Sequence, residues 1–347
     1  MIELIQKEFN LRKGLIYLNH AGVSPWPSRT AKAVRSFTEE NTIQGSLCYM
    51  EWMKVEAALR VQIQKLINAH SEDDIALLKN TSEALSVVAY GLDWKEGDNI
   101  VSSNQEYPSN RIVWESLSDK GVEFREAELN GTDSPEVALF SLVDSNTRLI
   151  TISSVQFSTG LRMDLERIGE YCKRRGILFC VDAIQSIGAL QFDVQKIHAD
   201  FVMADGHKWM FGSEGLAIFY CHPEVRDRLR LNQYGWHMVE AMGNFDTNDW
   251  TVAKTSRRFE CGSPNMLGIH ALSASVSLLL EIGMELVEQE VLKRSEYLIE
   301  KIKSIPELEL ITSTSPNRYA GIVTFRRSDV NNADLYKYLM QNNVLCA

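Results

Sequence analysis

Short apolar runs alternate with helix-periodic stretches through the middle of the chain, and this alternation constrains the fold more than any other feature. Asn99–Ser103, following a Gly97-Asp98 turn, reads as a strand, and so do Arg148–Ser153, Ile177–Val181 and Phe201–Ala204. Between them, Pro108–Leu117 and Asp164–Arg175 read as helices. In the second, Leu165, Ile168, Tyr171 and Cys172 fall on one face, and Gly176 follows as a stop. Strands that are apolar without alternation are buried on both faces, as in a parallel sheet covered by helices. One link departs from this pattern. Only about seven residues separate Lys208 from the run Leu216–Tyr220, whereas a parallel crossover takes roughly a dozen or more. That strand is predicted to run antiparallel in an otherwise mostly parallel sheet.

After about Tyr234 the pattern changes to a long, broken helical stretch over Leu267–Ser304, a strand at Gly321–Arg326 and a helix at Ala333–Gln341. The division predicts a large α/β domain over residues 20–235 and a smaller α+β domain made from 1–19 and 236–347. A formal net charge of −10 with no basic block argues against nucleic acid or an anionic membrane as partner. Cys48, Cys172, Cys180, Cys221, Cys261 and Cys346 form no C-x-x-C pair and no zinc spacing, so no metal site is expected and a reducing compartment fits. The longest apolar stretch, Ala271–Ile282, is shorter than the roughly 20 residues of a membrane span. The N-terminus has no signal-peptide pattern. The expectation is a soluble, cytoplasmic protein.

The strand ends carry ionisable groups. Ile177–Val181 ends at Asp182, and Phe201–Ala204 leads into Asp205-Gly206-His207-Lys208. If both strands are parallel, an acid and an amine share the carboxyl edge, where open α/β sheets bind ligands. Pyridoxal phosphate (PLP) uses such a pair: an acid keeps its pyridine nitrogen protonated, and a lysine supplies the amine that condenses with it. Spacing alone is equally compatible with a turn Asp and a solvated Lys. Asn80-Thr-Ser-Glu-Ala84 precedes an apolar helical stretch, so Thr81 or Ser82 can cap it and leave N–H groups free for a phosphate. Most such sequences only cap a helix.

Three segments narrow the choice: Val181-Asp-Ala-Ile-Gln-Ser186, Ala204-Asp-Gly-His-Lys-Trp209 and Arg258-Phe-Glu-Cys-Gly-Ser-Pro264. In that order, and with Tyr17-Leu-Asn-His-Ala-Gly22 at the other end of the match, the chain resembles the class V aminotransferase family of fold-type I PLP enzymes. That group includes cysteine desulfurases, selenocysteine lyases, isopenicillin N epimerase-like proteins and kynureninase. The resemblance implies a mostly parallel seven-stranded sheet with one antiparallel strand, and a homodimer with a shared active site. It implies that Lys208 holds PLP as a Schiff base and moves the substrate proton, and that Asp182 pairs with the ring nitrogen. Gln185 and Gln156 are then expected at the phenolic oxygen, Thr81, Ser82 and His207 at the phosphate, and Tyr107 on the ring face. Ser263 matches a residue that reaches the phosphate of the neighbouring subunit. Asp205 stands where desulfurases often have a phosphate-binding Ser, and as an acid it is expected to point elsewhere.

On the substrate side the resemblance implies an amino acid, with His20, Gly22 and Trp236-His237 near the entrance. Relatives hold the substrate carboxylate with an Arg shortly after the segment similar to Gln341–Ala347. Within this sequence Arg258 is a fallback clamp, unless it forms an ion pair with Glu260 or another acid. Cys346, in Val-Leu-Cys-Ala, reads as part of an apolar strand rather than as a persulfide carrier. The expected label is therefore transamination, with C–S lyase, desulfurase-like or epimerase activity as alternatives. A non-catalytic PLP-fold binding or regulatory protein is the alternative of another class.

Overall fold

The computed structural model describes residues 2–131 and 134–347. A seven-stranded sheet forms its centre: Ile75–Leu78 (β1), Asn99–Ser103 (β2), Glu123–Ala127 (β3), Thr147–Ser153 (β4), Leu178–Asp182 (β5), Phe201–Asp205 (β6) and Ala217–Cys221 (β7). Their spatial order is β1-β7-β6-β5-β4-β2-β3. The pairs from β6 through β5, β4 and β2 to β3 are all parallel. Strand β7 is antiparallel to both β6 and β1, the reversal expected from its short connection. Strands β2, β5, β6 and β7 are buried at every position.

Successive side chains go to opposite faces and fill two separate cores. Val101, Ile150, Ile152, Phe179, Val181, Val202 and Ala204 belong to one. Ile100, Leu149, Leu178, Cys180, Phe201 and Met203 belong to the other. Two strands carried too little signal to be read in advance. Strand β1 is four residues long and follows an acidic turn, and β3, Glu-Phe-Arg-Glu-Ala, is a largely exposed edge strand whose charges suit an edge.

Helix Asp164–Arg175 starts as read, with Asp164 accepting the Arg167 N–H as cap and Gly176 closing it in the left-handed region. The helical stretch near the C-terminus breaks at Gly283 into Met266–Ile282 and Met284–Lys303. The first of these packs along helices Ser28–Gln44 and Tyr49–Leu66. Its Ile269, Leu272, Val276 and Leu279 join the same core as the sheet. Two small ladders lie apart from the main sheet: Ile16–Tyr17 beside Val344–Leu345, and Leu308–Leu310 beside Phe325–Arg327. The expected strand Gly321–Arg326 is thus shorter and later. Its first residues are held instead against Trp209, where a Cβ on Gly321 would lie 2.4 Å from the indole. Among the described residues no single helix is long and apolar enough to cross a membrane.

The loop after β5 is pressed onto the segment that carries Lys208. Gly188 has φ +95° there, and a Cβ on it would sit 2.3 Å from the Trp209 carbonyl oxygen. Gly188→Ala therefore combines a left-handed backbone with a backbone clash and is expected to destabilise the protein by about 2–4 kcal/mol. Urea unfolding checks this; a wild-type midpoint would contradict the packing described.

Candidate active site

Asp182 ends β5 and Asp205 ends β6, on the carboxyl edge of the sheet. Lys208 follows within a tight loop closed by Gly206 N–H to Leu216 O (2.9 Å), Gly212 N–H to Gly206 O (2.7 Å) and Phe211 N–H to Lys208 O (3.0 Å). Trp209 anchors this loop. Its ring is buried with Val155, Leu190, Ala320 and Ile322, and its Nε1 donates to Gln185 Oε1 at 2.9 Å. Gln185 Nε2 in turn donates to the Ala21 carbonyl at 3.1 Å. The Ser24 N–H donates to the His207 carbonyl at 2.9 Å. Residues 17–24 are thereby drawn onto the lysine loop.

The electrostatics are those of an acid and an amine both kept from water. Asp182 is 2% exposed, and the Ile184 N–H donates to its Oδ1 at 3.1 Å. Burial first, with the negative charges of Glu106 and Asp205 adding to it, pushes its pKa up to about 7, against the opposing effects of Ile184 and Lys208. Burial lowers the Lys208 pKa, countered by Asp182 and Asp205. Such a lysine is a better nucleophile and base near neutral pH than a solvated one. Its Nζ lies 5.6 Å from the centre of the Tyr107 ring, which also meets Phe157 edge-on at 5.1 Å. The amine and the aromatic face thus come together as the sequence motifs implied.

The other end of the site is polar. Helix Thr81–Gly91 begins beside it, and the cap is Asn80, whose Oδ1 accepts the Glu83 N–H. This corrects the expectation that Thr81 or Ser82 caps the helix: Asn80 has the extended backbone that a cap requires, and Thr81 is already helical. The Thr81 hydroxyl is therefore left buried without a partner, while Ser82 Oγ donates to Ser109 Oγ at 2.8 Å. Asp205 does not turn away. It lies beside His207 and Thr81, which oppose, His207 first, the rise that burial imposes on its pKa. Burial also lowers the His207 pKa, despite the charge of Asp205. Thr81 Oγ1, Gln156 Oε1, Asp205 Oδ1, His207 Nδ1 and Ser213 Oγ are all buried without hydrogen-bond partners. Interiors normally satisfy such atoms, and the hydroxyl, imidazole and amide groups among them, beside a helix N-terminus and an amine, fit a ligand with a phosphate and a polar aromatic ring, whereas the Asp205 carboxylate opposes a phosphate placed directly against it.

The substrate-side expectations fare unevenly. The His20 ring stacks on Trp209 with centroids 5.5 Å apart, and Gly22 closes a turn on the Asn19 carbonyl. Ser263 is exposed in the turn before helix Met266–Ile282. Arg258 is not a free clamp, because Asp227 binds it. Asp227 lies beyond the far end of β7, on the edge away from Lys208. The ion pair with Glu260 does not form either: Glu260 accepts from Arg60 at 2.7 and 2.8 Å and from the Leu77 N–H at 2.8 Å. His237 is not an entrance residue. It is fully buried, with Nε2 3.9 Å from Glu56 and Nδ1 3.5 Å from Glu260.

Sequence reasoning passed over Glu106, Asn110 and Ser153, which form a buried hydrogen-bonded group behind Tyr107 and Gln156. Their one signal was position: Glu106 is the first residue of the Glu-Tyr-Pro-Ser segment quoted for Tyr107.

The raised Asp182 pKa has a consequence for the PLP-free protein. Between the unfolded value near 3.8 and about 7 the folded state holds a proton that the unfolded state has lost. Stability therefore falls as pH rises through that window, and the cost is fully present above it. Asp182→Asn removes the charge, so its melting temperature relative to wild type is expected to rise between pH 4 and pH 8. Calorimetry of both PLP-free proteins tests this, and a difference independent of pH would refute it.

The family model for class-V aminotransferases matches residues 16–346. The chain is 31% identical to a probable cysteine desulfurase of Methanothermobacter thermautotrophicus, over 99% of this chain and 86% of that protein. It is 30% identical to a cysteine desulfurase of Yersinia pestis over 83% of this chain and 70% of the other. Among solved structures, the apo cysteine desulfurase of Thermococcus onnurineus NA1 superposes with a TM-score of 0.84 at 25% identity, covering 99% of this chain and 86% of that one. The cystine C–S lyase C-DES, in complex with its reaction product cysteine persulfide, shares the fold with a TM-score of 0.87 at 22% identity, covering 96% and 89%. A variant of C-DES carries glycine covalently linked to the PLP cofactor. With the family model matched along nearly its whole length, the chain belongs to the class-V aminotransferase family and is a PLP-dependent enzyme.

Proposed function

We propose that this enzyme cleaves the carbon–sulfur bond at Cβ of cysteine or a closely related sulfur amino acid. The observation that carries the reading is the 31% identity, along 99% of this chain, to a protein named as a probable cysteine desulfurase. No relative reported above bears an aminotransferase name, so transamination, the label expected from the family, gives way to the alternative.

PLP, when bound, supplies an aromatic ring that accepts the electron pair left at the substrate Cα. In the proposed arrangement Lys208 holds the cofactor and its Nζ accepts the Cα proton, a task helped by the lowered pKa that burial gives it. Asp182 holds the proton of the ring nitrogen. Gln185 borders the phenolic oxygen, Gln156 turns its Oε1 to the pocket, Tyr107 covers one face, and Thr81, Ser82 and His207 border the phosphate. His20 and Gly22 shape the substrate entrance. In a C–S lyase the sulfur fragment leaves Cβ with the bonding pair. In a desulfurase a cysteine thiolate attacks the sulfur, and the C–S bonding pair stays on Cβ, which then takes up a proton. Burial raises the Cys346 pKa, which keeps that thiol protonated and favours release over transfer to it.

We place the large domain at 20–235 and the small one at 1–19 and 236–347, and take the active form as a homodimer in which Ser263 reaches the neighbouring subunit's phosphate. The exposed position of Ser263 supports that placement.

The test incubates the PLP-loaded protein with L-cysteine and L-cystine and follows sulfide, persulfide, alanine and pyruvate. Sulfur release is expected, with a loss of at least about 10³-fold in Lys208→Ala and disappearance of the visible PLP band in that variant. Keto-acid formation without sulfur release would return the assignment to transamination. A wild-type protein that stays colourless after PLP addition would sink the enzymatic reading altogether.

A further inference from the structure

We infer that Glu106 is a positioning residue for the cofactor: its buried carboxylate ties the Tyr107 loop to the strand beside Asp182 and dictates which atom of Gln156 is left to meet the ligand. The inference rests on the PLP site described above.

Glu106 is 6% exposed, and among the described residues no Lys or Arg pairs with it. Five groups donate to it instead. Asn110 Nδ2 lies 2.7 Å from Oε2, and Ser153 Oγ 2.6 Å from the same oxygen. The Ser153 N–H lies 3.0 Å from both oxygens. Ser103 Oγ (3.1 Å) and Gln156 Nε2 (2.7 Å) reach Oε1. These partners come from the end of β2, the helix Ser109–Glu115, the end of β4 and the segment just after it. Asn110 is itself fixed, since its Oδ1 accepts from Trp114 Nε1 at 2.9 Å and Thr151 Oγ1 at 2.8 Å. One carboxylate thereby joins four pieces of chain behind the site.

Two consequences follow from donor and acceptor chemistry. A carboxylate only accepts, so the amide of Gln156 must turn its Nε2 towards Glu106. The atom left over is Oε1, and it is the one found buried without a partner. Gln156 thus offers the ligand an acceptor, suited to a hydroxyl or an N–H. Donation to an anionic oxygen falls to other groups, such as the second N–H of Gln185 Nε2, whose first goes to the Ala21 carbonyl. Second, Ser153 is the strand partner of Asp182 across the β4–β5 ladder, and the next residue, Ser154, donates its N–H to the Asp182 carbonyl at 2.9 Å. Glu106 therefore anchors the strand end that frames Asp182 and places a fixed negative charge near it. That charge favours protonated forms of its neighbours, including nitrogen atoms of a bound PLP.

The experiment is a pH titration of the visible absorption of the PLP-loaded protein, together with the PLP dissociation constant and the melting temperature of the PLP-free form. Glu106→Gln keeps the shape and removes the charge. Its spectral midpoint is expected to move to lower pH by about half a unit or more, a change that a purely structural defect would not produce. Glu106→Asp keeps the charge but is one methylene shorter and cannot reach Ser153 and Gln156 together. Its midpoint is expected near that of wild type, with PLP affinity weakened by about 5-fold or more. A Glu106→Gln protein that binds PLP with the wild-type midpoint would overturn the inference. Should that variant fail to fold, wild-type PLP affinity in Glu106→Asp would overturn it. If the wild-type band does not depend on Lys208, the reading of the site fails first and independently of Glu106.

Discussion

Asp182 is almost wholly withdrawn from water, held by a backbone N–H two residues on, and sits at the end of a strand buried on both faces. A carboxylate in that position is costly when ionised. The fold tolerates it because the groups around it belong to a ligand site: the Lys208 amine, the unpartnered Thr81, Gln156 and His207 atoms, and the start of a helix. Under the proposed function, a protonated pyridine nitrogen adds a countercharge to that of Lys208. Cofactor binding and the cost of burying Asp182 are two sides of one arrangement.

The remainder of the architecture keeps that arrangement in register. Parallel strands deliver Asp182 and Asp205 to the same edge, and the reversed strand β7 allows the Lys208 loop to be short. Trp209 is the mechanical anchor of that loop. It touches Gln185 by a hydrogen bond, His20 by stacking and Gly321 by close approach. Three distant parts of the chain thus meet at the residue next to the lysine. Away from the lysine, Arg60 binds Glu56 and Glu260 in a second buried ionic group, which secures the segment before Ser263 to helix Tyr49–Leu66 and to β1.

The sheet was legible where burial on both faces left continuous apolar runs, as in β2, β5 and β6. It was illegible at β3, where an edge strand is mostly polar, and at the long helices Ser28–Gln44 and Tyr49–Leu66, whose apolar faces are broken by charges. The strand expected at Gly321 failed for a different reason: packing against Trp209 overrode local β-propensity there. Among candidate site residues, Lys208, Asp182 and Tyr107 were named because a local motif carried each, and the structure brings them near one another. Glu106 escaped notice because its role depends on partners 47 to 50 positions away or across one turn of helix. Arg258 stayed open between a clamp and an ion pair with some acid, because its partner, Asp227, is fixed by tertiary packing alone.

By itself, then, the sequence determined the α/β class, the reversed strand, the family and its cofactor. Each of these follows from local periodicity, connection length or a contiguous motif. Only the tertiary structure decided that Asn80 rather than Thr81 caps helix Thr81–Gly91, that Asp205 lies beside that helix, and that Arg258 and His237 are occupied elsewhere. It also decided which end of the Gln156 amide is free. These matters depend on which buried donor meets which acceptor, and hydrogen-bond partners far apart in the chain are chosen by the packing of the whole fold.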